Sequence, residues 1–150
     1  MKFIGRVEEL KKLNKIINSK DLATALIFGR RRVGKSELVK YVLKESEELK
    51  IYYECKEVSE KSNVQGLSDI LSEELNLPKL KFEDIESILK YIFELSINKK
   101  MILVLDEYSY LKKTINGIDS ILQVLIDKYK DTSKLSLIIL GSYVDIMKSL

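Results

Sequence analysis

The sequence predicts an α/β protein: a three-layer fold in which helices cover both faces of a parallel β-sheet. Short, almost wholly apolar runs alternate along the chain with segments whose apolar residues recur at helical spacing. Strands that are apolar along their length are typical of parallel sheets buried on both faces, and strand–helix alternation is typical of this architecture. Ligands bind beyond the carboxyl ends of the strands in such sheets. The residues that follow each strand are therefore the place to look for a site.

The individual elements follow from their apolar periodicity. Four apolar runs are predicted strands, at residues 22–28, 51–55, 101–105 and 135–140. Five segments with helical periodicity are predicted helices, spanning residues 7–17, 38–43, 67–75, 85–93 and 118–129. The polar stretch 56–66 is expected to be a loop.

Composition excludes several classes of function. The chain has 150 residues, and 45% of them are hydrophobic and 33% charged, which indicates one globular domain over 1–150. The absence of histidine excludes a Ser-His-Asp triad, a Cys-His pair and a His-ligated zinc. Cys55 is the only cysteine, so no intrachain disulfide forms. The formal charge of +3 is too small to indicate nucleic acid as a partner.

The sequence also gives an expectation about location. No apolar run approaches the roughly 20 residues that span a bilayer, so we expect no membrane association. The N-terminus becomes charged at Lys2, which does not resemble a signal peptide. A lone cysteine fits a reducing compartment. We therefore expect the protein to be cytoplasmic.

One segment has the pattern G-x-x-x-x-G-K-[ST] of a phosphate-binding loop. It follows a predicted strand and opens a predicted helix, as such a loop requires. Glycines let backbone N–H groups face the phosphates, the lysine reaches the β- and γ-phosphates, and the hydroxyl ligates Mg²⁺. The helix N-terminus favours the same anion. The pattern predicts an ATP-Mg²⁺ site at Gly29, Arg30, Arg31, Arg32, Val33, Gly34, Lys35 and Ser36, with Glu37 directly after them.

The roles of the three arginines stay open. Each of Arg30, Arg31 and Arg32 is a candidate to contact phosphate or a neighbouring subunit. A salt bridge to a nearby glutamate is equally compatible with the sequence, and surface pairs of that kind contribute little to stability.

The apolar run 101–105 is followed by two carboxylates, Asp106 and Glu107, in the form of a Walker B strand. Asp106 is expected to hold Mg²⁺ through water, because Mg²⁺ keeps much of its hydration shell. Glu107 is expected to polarise the attacking water. The alternative is a polar strand end without function, but the phosphate-binding pattern earlier in the chain favours the Walker B interpretation.

Two further positions have competing interpretations. Ser142 follows the fourth predicted strand, where its hydroxyl could contact the γ-phosphate or the attacking water as a sensor. It could equally be the N-cap of a following helix. Gly5 and Arg6 precede the first helix, and the residues alone favour a plain glycine turn there.

Taken together, these segments resemble the archaeal-type ATPase family, in the AAA+/STAND group of P-loop ATPases. The resemblance rests on four stretches: Phe3-Ile4-Gly5-Arg6-x-x-Glu9-Leu10, the segment from Ile27 to Leu38, Leu103-Val104-Leu105-Asp106-Glu107, and Leu140-Gly141-Ser142. It implies the strand order 5-1-4-3-2, a place near the adenine for residues 3–6, and the sensor role for Ser142.

Members of that family look longer than this sequence, which ends at Leu150. They have a fifth strand, a helical lid and often a further domain. We therefore expect the ATPase domain to be incomplete at its C-terminal end. On this expectation the chain binds ATP, hydrolyses it very slowly, and exposes its first strand at the sheet edge. Self-association, or a partner chain that completes the site, would follow.

The residues and the resemblance leave several functions open. The leading hypothesis is an ATPase that couples Mg²⁺-dependent ATP hydrolysis to conformational change. A STAND-like switch with little turnover and a nucleic-acid-associated ATPase are alternatives, and the charge does not support the latter. A small-molecule kinase would need an acceptor pocket and lid arginines, for which the sequence gives no signal.

Overall fold

The computed structural model describes residues 7–29 and 34–142. In this part of the chain, four strands alternate with six helices in the layered α/β arrangement that the sequence predicts. The strands are β1 (Ala23–Gly29), β2 (Leu49–Glu54), β3 (Met101–Asp106) and β4 (Leu135–Ser142). The helices are α1 (Val7–Ile17), α2 (Lys35–Lys44), α3 (Glu60–Leu75), α4 (Ile85–Leu95), α5 (Ser109–Thr114) and α6 (Ile118–Tyr129).

The four strands form one parallel sheet in the order β1-β4-β3-β2. This confirms the 1-4-3-2 part of the order that the family resemblance implies. The last described strand, β4, lies between β1 and β3. The strand that precedes the phosphate-loop motif (β1) and the strand that ends in Asp106 (β3) are therefore not direct neighbours. No fifth strand occurs within residues 7–29 and 34–142. In the described part of the sheet, β1 is therefore an edge strand.

Two hydrophobic cores cover the two faces of the sheet. On one face, α1 and α2 pack through Leu13, Leu38 and Val39 against sheet residues that include Val104 and Ile138. On the other face, α3, α4, α5 and α6 form the larger core. All six residues of β3 are buried. The three-layer fold class is thus confirmed, and β3 is enclosed along its whole length.

One sequence-based expectation is wrong. Residues 56–66 were expected to be a loop, but α3 begins at Glu60, where Ser59 caps the helix by accepting a hydrogen bond from the Ser62 N–H at 3.2 Å. Asn63 is fully buried in its first turns, and its side-chain oxygen accepts from the Tyr53 hydroxyl at 2.6 Å. Because Asn63 is polar although it is buried, the apolar residues of the sequence do not show the helical periodicity at this position.

The edge strand β1 is only partly covered. Leu26 is 43% exposed, and the side chains of its neighbours Ala25 and Ile27 are half-buried. An apolar groove of about 500 Å³ runs between α1 and β1. Edge strands of this kind present unpaired backbone groups and are prone to association.

Candidate functional site

The carboxyl ends of all four strands meet at one edge of the sheet, because the strands are parallel. In the register of the sheet, Gly29 is paired with Ser142, and Glu54 is paired with Asp106. Since β4 lies between β1 and β3, Ser142 lies between the start of the predicted phosphate loop and Asp106. The sequence placed Ser142 after the strand, whereas it is the last residue of β4.

Helix α2 begins at the same edge. Gly34, its N-cap, has φ 75°, a left-handed backbone conformation that glycine adopts without steric cost. Lys35 is the first helical residue and is only 4% exposed, although lysine is rarely buried. The N-terminal amides of the helix carry a partial positive charge. The loop's last glycine, its lysine and the helix dipole thus combine in a place suited to an anion.

A hydrogen bond joins this helix to the end of β3. The Ser36 hydroxyl donates to the Asp106 carboxylate, with an Oγ–Oδ2 distance of 2.8 Å. A hydroxyl has one proton and two lone pairs, so this donation leaves the Ser36 oxygen able to ligate a cation. The arrangement fits Mg²⁺, which prefers oxygen ligands and keeps several waters.

The Asp106 carboxylate is held by two further donors. The Tyr52 hydroxyl from β2 donates to the same Oδ2 oxygen, and the Glu107 N–H donates to Oδ1 at 2.8 Å. Asp106 is 3% exposed, so these bonds compensate for its removal from water. Tyr52 lies outside both sequence motifs, and no local sequence pattern marks it as a site residue. The structure adds Tyr52 to the candidate site.

Glu107 lies in an uncommon backbone conformation. Its φ is 56°, in the left-handed region that costs a non-glycine residue about 1–3 kcal/mol. The next residue fixes this turn, since the Tyr108 N–H donates to the Leu140 carbonyl at 2.9 Å. Such strain is concentrated at functional sites. The Glu107 side chain is half-buried and follows β3 at the edge where the other candidate residues lie.

Burial sets the protonation of two groups beside Asp106. Burial, together with the hydrogen bond to Asp106, raises the pKa of the Tyr52 hydroxyl far above its usual value, so Tyr52 remains a donor. Burial, followed by the nearby Asp106 charge, raises the pKa of the Cys55 thiol well above its usual value. Cys55 is 1% exposed and its N–H donates to the Asp106 carbonyl at 2.8 Å. Cys55 is therefore a buried structural residue.

The structure brings together most of the predicted site residues that it describes. These are Gly29, Gly34, Lys35, Ser36, Asp106, Glu107 and Ser142. Glu37 is exposed in the first turn of α2. Gly5, Arg6, Arg30, Arg31, Arg32 and Val33 lie outside the described residues.

The described residues form no metal cage of their own. Within 7–29 and 34–142, no group of three or more histidine, cysteine, aspartate or glutamate side chains converges. In the same ranges, no helix has the length and apolar character needed to cross a bilayer.

Comparisons with known proteins give the family. Residues 3–149 match the family described as ATPase domain predominantly from Archaea. An uncharacterized protein of Methanocaldococcus jannaschii, MJECL04, is 30% identical over 145 residues, which are 97% of this chain and 30% of the relative.

Two solved structures share the fold. The Walker-type ATPase Paby2304 of Pyrococcus abyssi superposes with a TM-score of 0.64 at 22% identity, over 93% of this chain and 45% of that protein. The Drosophila ORC structure bound to DNA superposes with a TM-score of 0.68 at 16% identity, over 97% of this chain and 40% of that one. The chain therefore spans less than half the length of each of these relatives. With its family model matched along almost its whole length, the chain belongs to the family of ATPase domains found predominantly in Archaea.

Proposed function

We propose that this chain binds ATP with Mg²⁺ at the carboxyl edge of its sheet and hydrolyses it to drive conformational change. The hydrogen bond between Ser36 and Asp106 is the observation that carries the proposal. It joins the residue after the phosphate-loop lysine to the carboxylate at the end of β3. Those are the two protein groups that a P-loop ATPase uses to hold Mg²⁺.

Each residue has a role in this proposal. The motif from Gly29 to Gly34, which includes Arg30, Arg31, Arg32 and Val33, is assigned to phosphate binding on its sequence pattern. Lys35 binds the β- and γ-phosphates. The Ser36 hydroxyl would hold Mg²⁺ directly, and the Asp106 carboxylate would hold it through water. The positive charge of Mg²⁺ held by Ser36 and Asp106 would offset the negative charge that develops during phosphoryl transfer.

Two other residues are assigned to the hydrolytic step. Glu107, which has a left-handed backbone conformation, orients and polarises the attacking water. Ser142 senses the γ-phosphate from the neighbouring strand end. Gly5 and Arg6 are proposed to lie near the adenine, on the strength of the family resemblance alone.

We expect turnover by the 150-residue chain to be slow. A cationic side chain from outside the core often stabilises phosphoryl transfer and contributes a factor of about 10³–10⁵ in rate. The relatives are more than twice as long as this chain, which supports the proposal that 1–150 is part of a larger ATPase. Self-association or a second chain would then complete the site. A cytoplasmic location is part of the same proposal.

A nucleic-acid-associated ATPase is the second candidate. One structure with the same fold was solved bound to DNA. The small net charge of +3 argues against a large electrostatic contribution to such binding. Turnover measured with and without duplex DNA separates this candidate from the first, because only the second predicts stimulation.

The experiment that tests hydrolysis compares the parent with Glu107→Gln and Asp106→Asn. Glu107→Gln keeps the shape of the side chain but removes its basicity, so we expect unchanged ATP affinity and a turnover reduced at least tenfold. Asp106→Asn should instead weaken the dependence of binding on Mg²⁺. If Glu107→Gln hydrolyses ATP at the parent's rate, the water-activating group lies elsewhere.

A further inference from the structure

We propose that Tyr52 is a positioning residue for the metal site: its hydroxyl holds the Asp106 carboxylate in the orientation from which it acts on water-coordinated Mg²⁺. This inference rests on the proposed function, because it concerns the same metal. Tyr52 lies outside the two motifs, on the neighbouring strand β2. It reaches the site only through the pairing of β2 with β3.

The register of the sheet explains how Tyr52 reaches Asp106. Tyr52 is paired with Val104, and Asp106 lies two residues further along β3 on the same face of the sheet. Such diagonal neighbours are about 7–8 Å apart at the backbone, a distance that long side chains cross. The phenol ring spans this gap and its hydroxyl donates to Asp106 Oδ2. A phenylalanine ring would fill the same space without the donor.

The donors around Asp106 determine how its carboxylate can act. A carboxylate offers about four lone-pair directions. Two donors, Ser36 and Tyr52, converge on Oδ2, and the Glu107 N–H occupies one direction at Oδ1. Oδ1 therefore has more room for a further donor, such as a metal-bound water. This pattern favours contact through water over direct ligation, and Tyr52 supplies one of the three donors that create it.

The ring of Tyr52 is held independently of its hydroxyl. The ammonium of Lys40, on α2, lies 5.0 Å from the ring centroid, one turn beyond Ser36 on the same helix. Helix α2 thus lies close to Tyr52 at two points. Lys40 contacts the ring, and Ser36 donates to the same Asp106 oxygen as the Tyr52 hydroxyl. Removing only the hydroxyl should leave the packing in place, which makes Tyr52→Phe a selective test.

The test measures nucleotide affinity in the presence of Mg²⁺ and in the presence of EDTA, for the parent and two variants. The informative quantity is the ratio of the two affinities. Tyr52→Phe should reduce this ratio by about tenfold, in line with the loss of a partner behind a metal-binding group, and leave the affinity in EDTA unchanged. Tyr53→Phe is the matched control, because the Tyr53 hydroxyl donates to Asn63 on the opposite face.

Each outcome separates this inference from the proposed function. A Tyr52→Phe variant that keeps the parent's ratio overturns the inference. Equal losses with Mg²⁺ and with EDTA also overturn it, because they show a general structural role. A Tyr53→Phe variant with the same reduced ratio contradicts the specific role of Tyr52. Failure of the parent to bind nucleotide under either condition contradicts the proposed function as well, whereas binding that depends on Lys35 but not on Tyr52 contradicts the inference alone.

Discussion

Gly29 and Ser142 are paired in register at the carboxyl ends of β1 and β4. The first residue of the phosphate-loop motif and the candidate sensor are therefore neighbours on adjacent strands, although 113 positions separate them in the chain (142 − 29). This pairing places Ser142 beside the segment that is proposed to hold the phosphates. The sensor and N-cap interpretations of Ser142 both stay predictions, since residues 143–150 lie outside the described part of the chain.

We predict that Ser142→Ala reduces ATP hydrolysis several-fold while ATP affinity stays within about twofold of the parent, because a sensor acts on the γ-phosphate during the reaction. Ser136→Ala in the same strand is the matched control. Its hydroxyl donates to the Ile16 carbonyl at 2.6 Å, away from the site, so its loss should lower the melting temperature without changing turnover. A Ser142→Ala variant with the same pattern as Ser136→Ala would favour the N-cap interpretation.

We predict that the 150-residue chain associates through β1 and that Leu26→Lys prevents it. A lysine on an edge strand opposes pairing with another strand, and Leu26 is 43% exposed there. Analytical ultracentrifugation over a range of concentrations measures the effect. Val124→Lys is the control, because Val124 is 64% exposed on α6 and should leave association unchanged. A parent chain that sediments as a monomer throughout would contradict the prediction.

We predict that Cys55 resists thiol reagents in the folded chain. The thiolate is the reactive form, and burial raises the pKa of this thiol, so little thiolate exists at neutral pH. Labelling with a chromogenic disulfide should be slower by at least tenfold in the native chain than in denaturant. Rapid labelling of the native chain would show that the carboxyl end of β2 opens readily, or that Cys55 is not buried as described.

The sequence was sufficient for the fold class because the signals were local. Apolar runs marked the four described strands, and the pattern ending in Lys35 and Ser36 indicated where α2 begins. The candidate residues Asp106 and Glu107 followed from their position after a buried strand. Their position near the phosphate-loop motif follows from one rule: the carboxyl ends of parallel strands lie at the same edge of the sheet.

What the sequence did not reveal depends on non-local contacts. Tyr52 joins the site only through the register of β2 against β3, which no local pattern encodes. The start of α3 was missed because Asn63 is buried where an apolar residue would mark the helical face. Both cases involve polar groups whose partners lie elsewhere in the chain, such as the Tyr53 hydroxyl that bonds to Asn63.

The central claim is that the triphosphate is bound where Lys35 begins α2, and calorimetric titration of the parent and Lys35→Ala with ATP and Mg²⁺ tests it most directly. Lys44→Ala is the matched control, since Lys44 is exposed in the last turn of the same helix. We predict saturable binding by the parent and by Lys44→Ala, and no measurable binding by Lys35→Ala. Near-parental affinity in a folded Lys35→Ala variant would contradict the account.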